Sequence, residues 1–258
     1  MAGNLADFTD EEFGSVLQRL TKRMILPSQF VPEKEPNAIL LGGQSGAGKT
    51  TLHDIFRDRF DHNAIVINGD EYRSLHPRFH ELQEAYGDKS VDYTAAWSGQ
   101  MTEALIDALS RIGYNLIIEG TLRTSDVPLS TAKLLRQRGY SVSLALMAVK
   151  PEISLISCQI RYQQMRLAGT TPRATDPKHH MKIVDQIVAN LAVLEGSGKF
   201  DGIQLFTRSE ECLFPRKGDS RKASEVLEQA LFGSWTEEET EHLRSLQAKL
   251  DYLQSQAN

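Results

Sequence analysis

Short, continuous apolar runs alternate with longer stretches in which apolar residues recur at helical spacing along most of this chain. Continuous runs, as opposed to alternating ones, are typical of parallel strands that are buried on both faces. The pattern predicts strands at Ala38–Leu41, Ala64–Asn68, Asn115–Glu119, Val142–Ala148 and Ile203–Phe206. Because helical segments separate these strands, we predict an α/β fold with a mostly parallel sheet and helices on both faces.

Helical spacing and end signals predict the segments that connect the strands. Beyond a helix after the first strand, the pattern predicts helices at Asp92–Arg111, Val127–Arg138, Glu152–Leu167 and Pro177–Glu195. Gly113 and Gly139 follow the first two of these four segments. Glycine is the usual left-handed residue just past a helix C-terminus, so both glycines support the predicted ends.

Both ends of the chain carry a capping box, in which a threonine is followed three residues later by a glutamate. Thr9 begins a predicted helix that runs to about Met24, and Thr236 begins another. The second helix has one apolar stripe, which consists of Leu243, Leu246, Leu250 and Leu253. The stripe is short for a coiled coil, so we expect this helix to pack on the domain.

We expect the whole chain, residues 1–258, to form one domain. Its length suits a single large α/β domain, although two small domains would also fit. Within it, residues 1–36 form an N-terminal helix and connector, 37–207 the core, and 208–258 a C-terminal helical extension.

A glycine-rich turn directly after the first predicted strand contains most of the candidate ligand-binding residues. The turn reads GQSGAGKT, a complete G-x-x-x-x-G-K-[ST] P-loop between a strand and a helix. Such a loop cradles phosphate groups with its backbone N–H groups at a helix N-terminus. Lys49 is expected to reach the β- and γ-phosphates, and the Thr50 hydroxyl to ligate Mg²⁺. The predicted nucleotide-binding residues are Gly43, Gln44, Ser45, Gly46, Ala47, Gly48, Lys49, Thr50 and Thr51.

Acidic residues end two other predicted strands. Asp70 follows the second strand and Glu119 ends the third, and ligands of open parallel sheets bind beyond these carboxyl ends. Asp70 could be a general base, a helix cap or a water-mediated Mg²⁺ contact. Glu119 could hold Mg²⁺ through water or bind a substrate hydroxyl. After Glu119, Thr121 and Arg123 suit a polar ligand or form a plain loop.

Three further charged residues are candidates with weaker support. Glu103 lies at the edge of the apolar face of the helix predicted at Asp92–Arg111, where it faces either the cleft or solvent. Arg161 and Arg173 flank the segment AGTTP, which resembles the mobile, arginine-bearing cover of P-loop kinases. Their guanidinium groups would stabilise charge on a transferred phosphoryl group.

Composition argues against several classes of protein but does not indicate one function. The net charge of −5 argues against non-specific binding of nucleic acid, although a local basic pocket remains compatible with it. Cys158 and Cys212 make no disulfide framework and lack metal-site spacing, which suits a reducing compartment. The chain shows no signal segment and no apolar run long enough to cross a membrane. We therefore expect a cytoplasmic protein that binds neither nucleic acid nor membrane.

A P-loop is shared by several classes of nucleotide-binding protein. GTPases also need an N/T-K-x-D element, of which this chain has no convincing copy. ATPase motors usually have an apolar strand that ends in Asp-Glu, whereas the third predicted strand here ends in Glu-Gly. A small-molecule kinase is therefore the leading hypothesis. A P-loop phosphotransferase that acts on another hydroxyl, for example of an antibiotic, remains an alternative. So does a non-catalytic nucleotide-binding module, which would not need Asp70 or the two arginines.

Several segments, in this order, resemble the zeta toxins of epsilon/zeta toxin–antitoxin systems, especially the PezT-type branch. They are LLGGQSGAGKTT, INGDEYRSLHP, MTEAL, YNLIIEGTLRTSDVP, the pair RY at Arg161, PRAT at Arg173 and the late LFGSW. The resemblance extends from the N-terminal helix into the C-terminal region. It implies a P-loop kinase-like fold.

The resemblance also implies an activity. Members of this family use ATP and Mg²⁺ to phosphorylate UDP-N-acetylglucosamine on the 3′-hydroxyl of its amino sugar, which blocks cell-wall synthesis. By motif match, Asp70 would be the catalytic base, Lys49 would bind ATP phosphates, and Arg161 and Arg173 would clamp the transferred phosphate. The implied substrate-binding residues are Asp70, Glu103, Glu119, Thr121 and Arg123. An epsilon-type antitoxin, a small helical protein, would cover the ATP site and contact the helix that begins at Thr9.

Overall fold

The computed structural model describes residues 4–26, 30–172, 174–218 and 220–256. In chain order its elements are α1 (Asp10–Ile25), β1 (Asn37–Gly42), α2 (Thr50–Arg59), β2 (Ile65–Asn68), α3 (Gly69–Tyr72), α4 (Phe79–Tyr86), α5 (Ser90–Tyr93), α6 (Ala95–Ile112), β3 (Leu116–Glu119), α7 (Asp126–Gln137), β4 (Ser141–Met147), α8 (Pro151–Leu167), α9 (Pro177–Gly196), β5 (Gly202–Phe206), β6 (Cys212–Phe214), α10 (Ala223–Phe232) and α11 (Glu237–Ser255). Among these helices, none is long and apolar enough to cross a bilayer.

The strands form one sheet in the order β2-β3-β1-β4-β5-β6. All neighbouring pairs are parallel except β5 with β6, which are antiparallel. The mostly parallel sheet of the predicted P-loop kinase-like fold is thus confirmed, and the five predicted strands lie close to their expected bounds. The short edge strand β6 and the helices α3, α4 and α10 were not predicted.

Alternate residues of β1 pack into two apolar layers, one on each face of the sheet. Ala38 and Leu40 join a cluster with side chains from α1, α6, α7, α9 and α10. Ile39 and Leu41 join a second cluster with side chains from α2 and α8. Helices on both faces therefore cover the strands, as the continuous apolar runs predicted.

The helix predicted over Asp92–Arg111 is wrong in its first turn. Thr94 ends α5, and α6 begins after it. The Thr94 hydroxyl donates to the carbonyl of Ser90 at 3.0 Å and accepts from Arg73 at 3.3 Å. A threonine hydroxyl that bonds its own preceding turn and a distant side chain competes with a regular helix.

Both predicted capping boxes are present. Thr9 and Glu12 cap α1, and Thr236 and Glu239 cap α11. Leu250 of α11 is buried against Ile156 and Ile160 of α8, so the terminal helix packs on the domain as expected.

Candidate functional site

The carboxyl ends of β1 and β3, together with α2, α8 and the segment after β5, enclose a cleft of about 430 Å³. Open parallel sheets bind their ligands at this edge. The lining residues are Gly46, Gly48, Lys49, Thr50, Thr51, Glu119, Ser157, Arg161 and Arg208. Five residues of the predicted nucleotide-binding loop therefore line one cavity with Glu119 and Arg161.

The backbone of the P-loop requires glycine at position 46. Gly46 has φ of +76°, in the left-handed region that favours glycine. A Cβ at this position would collide with the carbonyl oxygen of Ser154 and lie 2.7 Å from Cys158 Sγ. The loop therefore packs directly on α8, with no space for a side chain between them.

Lys49 lies folded back over the P-loop and is only 8% exposed. Its Nζ donates to the carbonyl oxygen of Gly43 at 3.0 Å and to that of Gln44 at 3.4 Å. The same Nζ lies 3.7 Å from Glu119 Oε1. The ammonium group is thus held at the mouth of the loop, beside a carboxylate on the neighbouring strand.

Glu119 sits between two cationic or potentially cationic side chains. Its Oε2 lies 2.9 Å from Nε2 of His53, a buried residue of α2. Burial alone would raise the pKa of Glu119, but the contact with His53 and the charge of Lys49 outweigh it and lower the pKa. The carboxylate therefore stays ionised at neutral pH, as a metal-directed or hydroxyl-binding acid requires.

Asp70 lies in the first turn of α3, exposed at the end of β2. Asn68 is the N-cap of α3, and its side chain accepts from the Asp70 N–H at 3.1 Å. The hypothesis that Asp70 itself caps a helix is therefore wrong. Its Oδ1 accepts from Arg73 Nε at 3.0 Å, and Arg73 is fixed in turn by donating to the Val91 carbonyl at 2.7 Å.

The charge of Asp70 reaches the cleft. It acts to raise the pKa of Glu119, against the lowering contacts of His53 and Lys49. Parallel pairing of β2 with β3 sets Asn68 beside Glu119, which places the two carboxylates at neighbouring strand ends. Asp70 and Glu119 therefore follow the carboxyl ends of two adjacent strands.

One of the two predicted arginines, Arg161, lines the cleft. It belongs to α8, and its buried Nε has no hydrogen-bond partner in the described part of the chain. A buried donor of this kind is costly unless it is paired, which suits a ligand-binding role. Arg173 lies outside the described residues, so its role stays a prediction.

Glu103, Thr121 and Arg123 do not line the cleft. Glu103 is exposed on α6, next to Thr102, whose hydroxyl lies close to Gly69 before Asp70. Thr121 is half-buried and Arg123 exposed in the loop after β3. Glu103 therefore lies on the Asp70 side of the site, and Thr121 and Arg123 follow Glu119 in the chain.

The loop after β3 has an unusual conformation. Buried Leu122 has φ of +57°, which non-glycine residues rarely adopt. Its carbonyl accepts from Asn190 Nδ2 of α9 at 2.9 Å. Strained backbone of this kind persists only where its surroundings hold it and is concentrated at functional sites. The flanking Thr121 and Arg123 are thus held in one arrangement.

The sequence analysis missed His53, which contacts Glu119, and Arg208, which lines the cleft. His53 lies four residues after Lys49, so the two share a helix face, but the contact of His53 with Glu119 joins α2 to β3 and depends on tertiary packing. Arg208 follows β5 by two residues, and the strand-end rule applied to Asp70 and Glu119 would have found it too. Neither residue belongs to the P-loop pattern itself.

A third missed feature lies beneath the P-loop. The Gln44 side chain donates to the Val149 carbonyl at 2.8 Å and to Ser154 Oγ at 3.2 Å. Ser154 Oγ also lies 2.9 Å from Nε2 of His180 in the first turn of α9. Gln44, Ser154 and His180 are fully buried, so a polar network joins the P-loop to α8 and α9.

The residues of the cleft fit a magnesium–nucleotide complex. Mg²⁺ typically takes one or two protein oxygens, with waters and phosphate oxygens as its other ligands. The Thr50 hydroxyl and the Glu119 carboxylate line the same cleft and can supply those oxygens. Within the described residues, no cluster of three or more His, Cys, Asp or Glu side chains could hold a metal unaided.

Comparison with known proteins identifies the family. The zeta toxin family model matches residues 23–219. Toxin PezT of Streptococcus pneumoniae serotype 4 is 44% identical over 250 residues, which cover 96% of this chain and 98% of that protein. Toxin zeta of Streptococcus pyogenes is 37% identical over 230 residues, 88% of this chain and 79% of that protein.

A solved structure agrees with these relatives. A chain from the PezAT chromosomal toxin–antitoxin system of the human pathogen Streptococcus pneumoniae superimposes with a TM-score of 0.88 at 43% identity, and the match covers 97% of this chain and 100% of that chain. The resemblance noted in the sequence is therefore confirmed: this chain belongs to the zeta toxin family.

Proposed function

We propose that this protein is an ATP-dependent kinase and the toxin of a type II toxin–antitoxin system, with UDP-N-acetylglucosamine as its acceptor. The observation that carries the proposal is one cleft that joins Lys49, Thr50, Arg161 and Glu119, with Asp70 at the neighbouring strand end. This set contains the parts that phosphoryl transfer needs: a phosphate cradle, metal-directed oxygens, a cation and a base. ATP would supply the phosphoryl group, and Mg²⁺ would neutralise its developing charge.

The P-loop and Lys49 bind and orient the phosphate chain in this proposal. Lys49 exchanges the carbonyl oxygens of Gly43 and Gln44 for phosphate oxygens, which are stronger partners because they are charged. Glu119 keeps the ammonium group close to the loop in the absence of nucleotide. Thr50 and Glu119 would hold Mg²⁺, either directly or through water.

Asp70 accepts the proton of the attacking hydroxyl. Its carboxylate is exposed at the edge of the cleft, where an acceptor can approach it. Arg73 donates to one carboxylate oxygen of Asp70, Oδ1, which orients the group. Arg161, and Arg173 by the sequence prediction, would stabilise negative charge on the transferring group.

The acceptor is the sugar hydroxyl that the family resemblance implies, the 3′-hydroxyl of the amino sugar. By the same resemblance, Glu103, Glu119, Thr121 and Arg123 would bind the sugar nucleotide. Carboxylates and a threonine suit sugar hydroxyls, and an arginine suits a diphosphate. The enzyme would act in the cytoplasm, and its product would block cell-wall synthesis. An epsilon-type antitoxin would inhibit the enzyme by covering the ATP site.

Incubation of the purified protein with ATP, Mg²⁺ and a panel of nucleotide sugars and antibiotics tests the proposal. We expect phosphate on UDP-N-acetylglucosamine by mass spectrometry, located at the 3′-hydroxyl by NMR. Lys49→Ala should lower turnover by about 10²–10³-fold or more, because a cation that meets transition-state charge is lost. The matched control is Lys182→Ala, which changes an exposed lysine of α9.

Two results would contradict parts of the proposal. Rapid phosphorylation of another hydroxyl, with none on UDP-N-acetylglucosamine, would favour the alternative phosphotransferase. Near wild-type turnover by Lys49→Ala would reject the nucleotide site.

A further inference from the structure

Arg208 lies against the P-loop and lines the cleft, although it belongs to the segment between β5 and β6. Its Nε donates to the carbonyl of Ala47 at 3.2 Å, and its Nη2 donates to the carbonyl of Gly46. The same Nη2 donates to Ser157 Oγ of α8 at 2.9 Å. A Cβ built on Gly48 would lie 3.5 Å from Arg208 Cγ, so the side chain also packs flat against the loop.

These contacts constrain two peptide groups of the loop. In a trans peptide the C=O and N–H bonds point in opposite directions. When Arg208 holds the Ala47 carbonyl on one side, the N–H of Gly48 must point to the other. The preceding peptide is held at both ends, because Ala47 N–H donates to the Gln44 carbonyl at 3.1 Å while Arg208 holds the Gly46 carbonyl.

We propose that Arg208 is a positioning residue that holds the P-loop in its phosphate-binding conformation through the carbonyls of Gly46 and Ala47. This inference rests on the nucleotide site of the proposed function but on no particular acceptor. Arg208 holds the loop by its carbonyls, so it orients the N–H groups for phosphate before a nucleotide arrives. Preorganised donors of this kind cost no reorganisation when the ligand binds.

The chemistry of the contact explains why an arginine stands here. Three acceptors from two elements are held by one planar, rigid group, whereas lysine offers a single point charge on a flexible stem. Ser157 and Arg161 lie four residues apart on the same face of α8. By holding Ser157, Arg208 also fixes the P-loop relative to the helix face that carries Arg161.

Calorimetric binding of ADP and of a non-hydrolysable ATP analogue tests the inference. We expect Arg208→Met to raise both dissociation constants by the same factor, about 10–100-fold, as the loss of charge-assisted hydrogen bonds predicts. Arg208→Lys should recover only part of the affinity. The matched control is Arg216→Met just after β6, where the exposed arginine pairs with Glu211. Near-UV and far-UV circular dichroism confirm that each variant is folded.

Chemical rescue separates positioning from loss of charge alone. Millimolar methylguanidine should restore ADP binding to Arg208→Ala, whereas methylamine should not. Unchanged ADP affinity in the Met and Lys variants would overturn the inference. So would a loss confined to the ATP analogue, which would indicate direct contact with the γ-phosphate, or equal rescue by both compounds. If the wild-type protein binds neither nucleotide, the proposed function itself fails.

Discussion

Charged side chains at the cleft stabilise one another before any ligand binds. Lys49 and His53 are both buried beside Glu119, whose carboxylate would be costly to bury alone. This cluster holds the Lys49 ammonium group and the Glu119 carboxylate in place. Their separation of 3.7 Å is too long for a direct hydrogen bond between the two groups. A ligand with phosphate oxygens and a metal can therefore replace these contacts at little cost in structure.

Asp70→Asn should abolish phosphoryl transfer while ATP still binds. The amide oxygen can still accept from Arg73, so the local structure should remain, but an amide cannot take the proton of the acceptor hydroxyl. Loss of a general base typically lowers turnover by about 10²–10⁴-fold. Steady-state kinetics, with the exposed Asp92→Asn as control, measure this. Rescue of turnover by high Mg²⁺ would instead indicate that Asp70 acts through Mg²⁺ and not as a base.

His180 should make the stability of the protein depend on pH. Burial lowers the pKa of His180 below its ordinary value of 6.5. Below that pH the unfolded chain therefore binds the proton more readily than the folded protein does, and the free energy of unfolding falls. The stabilising contribution is present above pH 6.5 and is lost as the pH falls from there towards the lowered pKa.

Urea unfolding at about pH 7.5 and about pH 5.5 checks this linkage. His180→Gln should be less stable at the higher pH by about 1–3 kcal/mol, since a buried hydrogen bond to Ser154 is disturbed. It should also lose less stability than the wild type at the lower pH. His179→Gln changes the adjacent, exposed histidine and should behave like the wild type. The same pH dependence in all three proteins would exclude His180 as the cause.

At the scale of elements, α11 forms an outer layer over α8. The stripe of leucines that includes Leu250 faces Ile156 and Ile160, which belong to the helix that also carries Arg161. Most of the stability of such a terminal helix comes from its apolar face. The extension therefore supports the helix that bears a cleft residue.

Leu250→Ala should destabilise the protein by about 2–5 kcal/mol, because it leaves a cavity between α11 and α8. Tyr252→Ala changes a side chain that is 64% exposed two residues later and should have little effect. Chemical unfolding of both variants measures the difference. Equal stability of the two variants would mean that the contact of α11 with α8 contributes nothing.

Local signals account for the elements that the sequence predicted well. A capping box needs only Thr9 and Glu12, or Thr236 and Glu239, so both helix starts could be predicted from four residues. The break at Thr94 could not, because it depends on a hydrogen bond from Arg73 in another element. Strand β6 is too short to show a periodic pattern.

The sequence predicted several residues of the site but not the contacts between them. The P-loop pattern and the strand-end rule together found Lys49, Thr50, Asp70 and Glu119. The pairing of Glu119 with His53, and the position of Arg208 on the loop, follow from how α2 and β5 are placed around β1. Such contacts depend on tertiary packing, which no single segment of the sequence encodes.

At the scale of the whole molecule, the N-terminal segment is attached to the same side of the sheet as Asp70. Phe8 and Phe13 pack edge-on against buried Trp97, with ring centroids 5.0 and 5.4 Å away. Trp97 donates to the carbonyl of Tyr72 at 2.9 Å, two residues from Asp70. The N-terminal segment is therefore linked through Trp97 to the short helix that carries the proposed base.

The expected antitoxin contact with α1 can be tested without removing the helix, whose loss would expose Trp97. Arg19 and Lys22 lie on the exposed face of α1, three residues apart. Arg19→Glu with Lys22→Glu should weaken binding of the cognate antitoxin by at least about tenfold, since like or unpaired charges at an interface cost several kcal/mol. ATP affinity should stay unchanged, because neither residue lines the cleft.

Lys249→Glu provides the control, since it reverses an exposed charge on α11, a different helix. Surface plasmon resonance with immobilised antitoxin gives the affinities, and addition of an ATP analogue shows whether the two ligands compete. An antitoxin that covers the ATP site must be displaced by nucleotide as well as weakened by the α1 variant. Full affinity of the double variant would show that α1 is not the contact. Simultaneous binding of antitoxin and nucleotide would show that the antitoxin acts from outside the cleft.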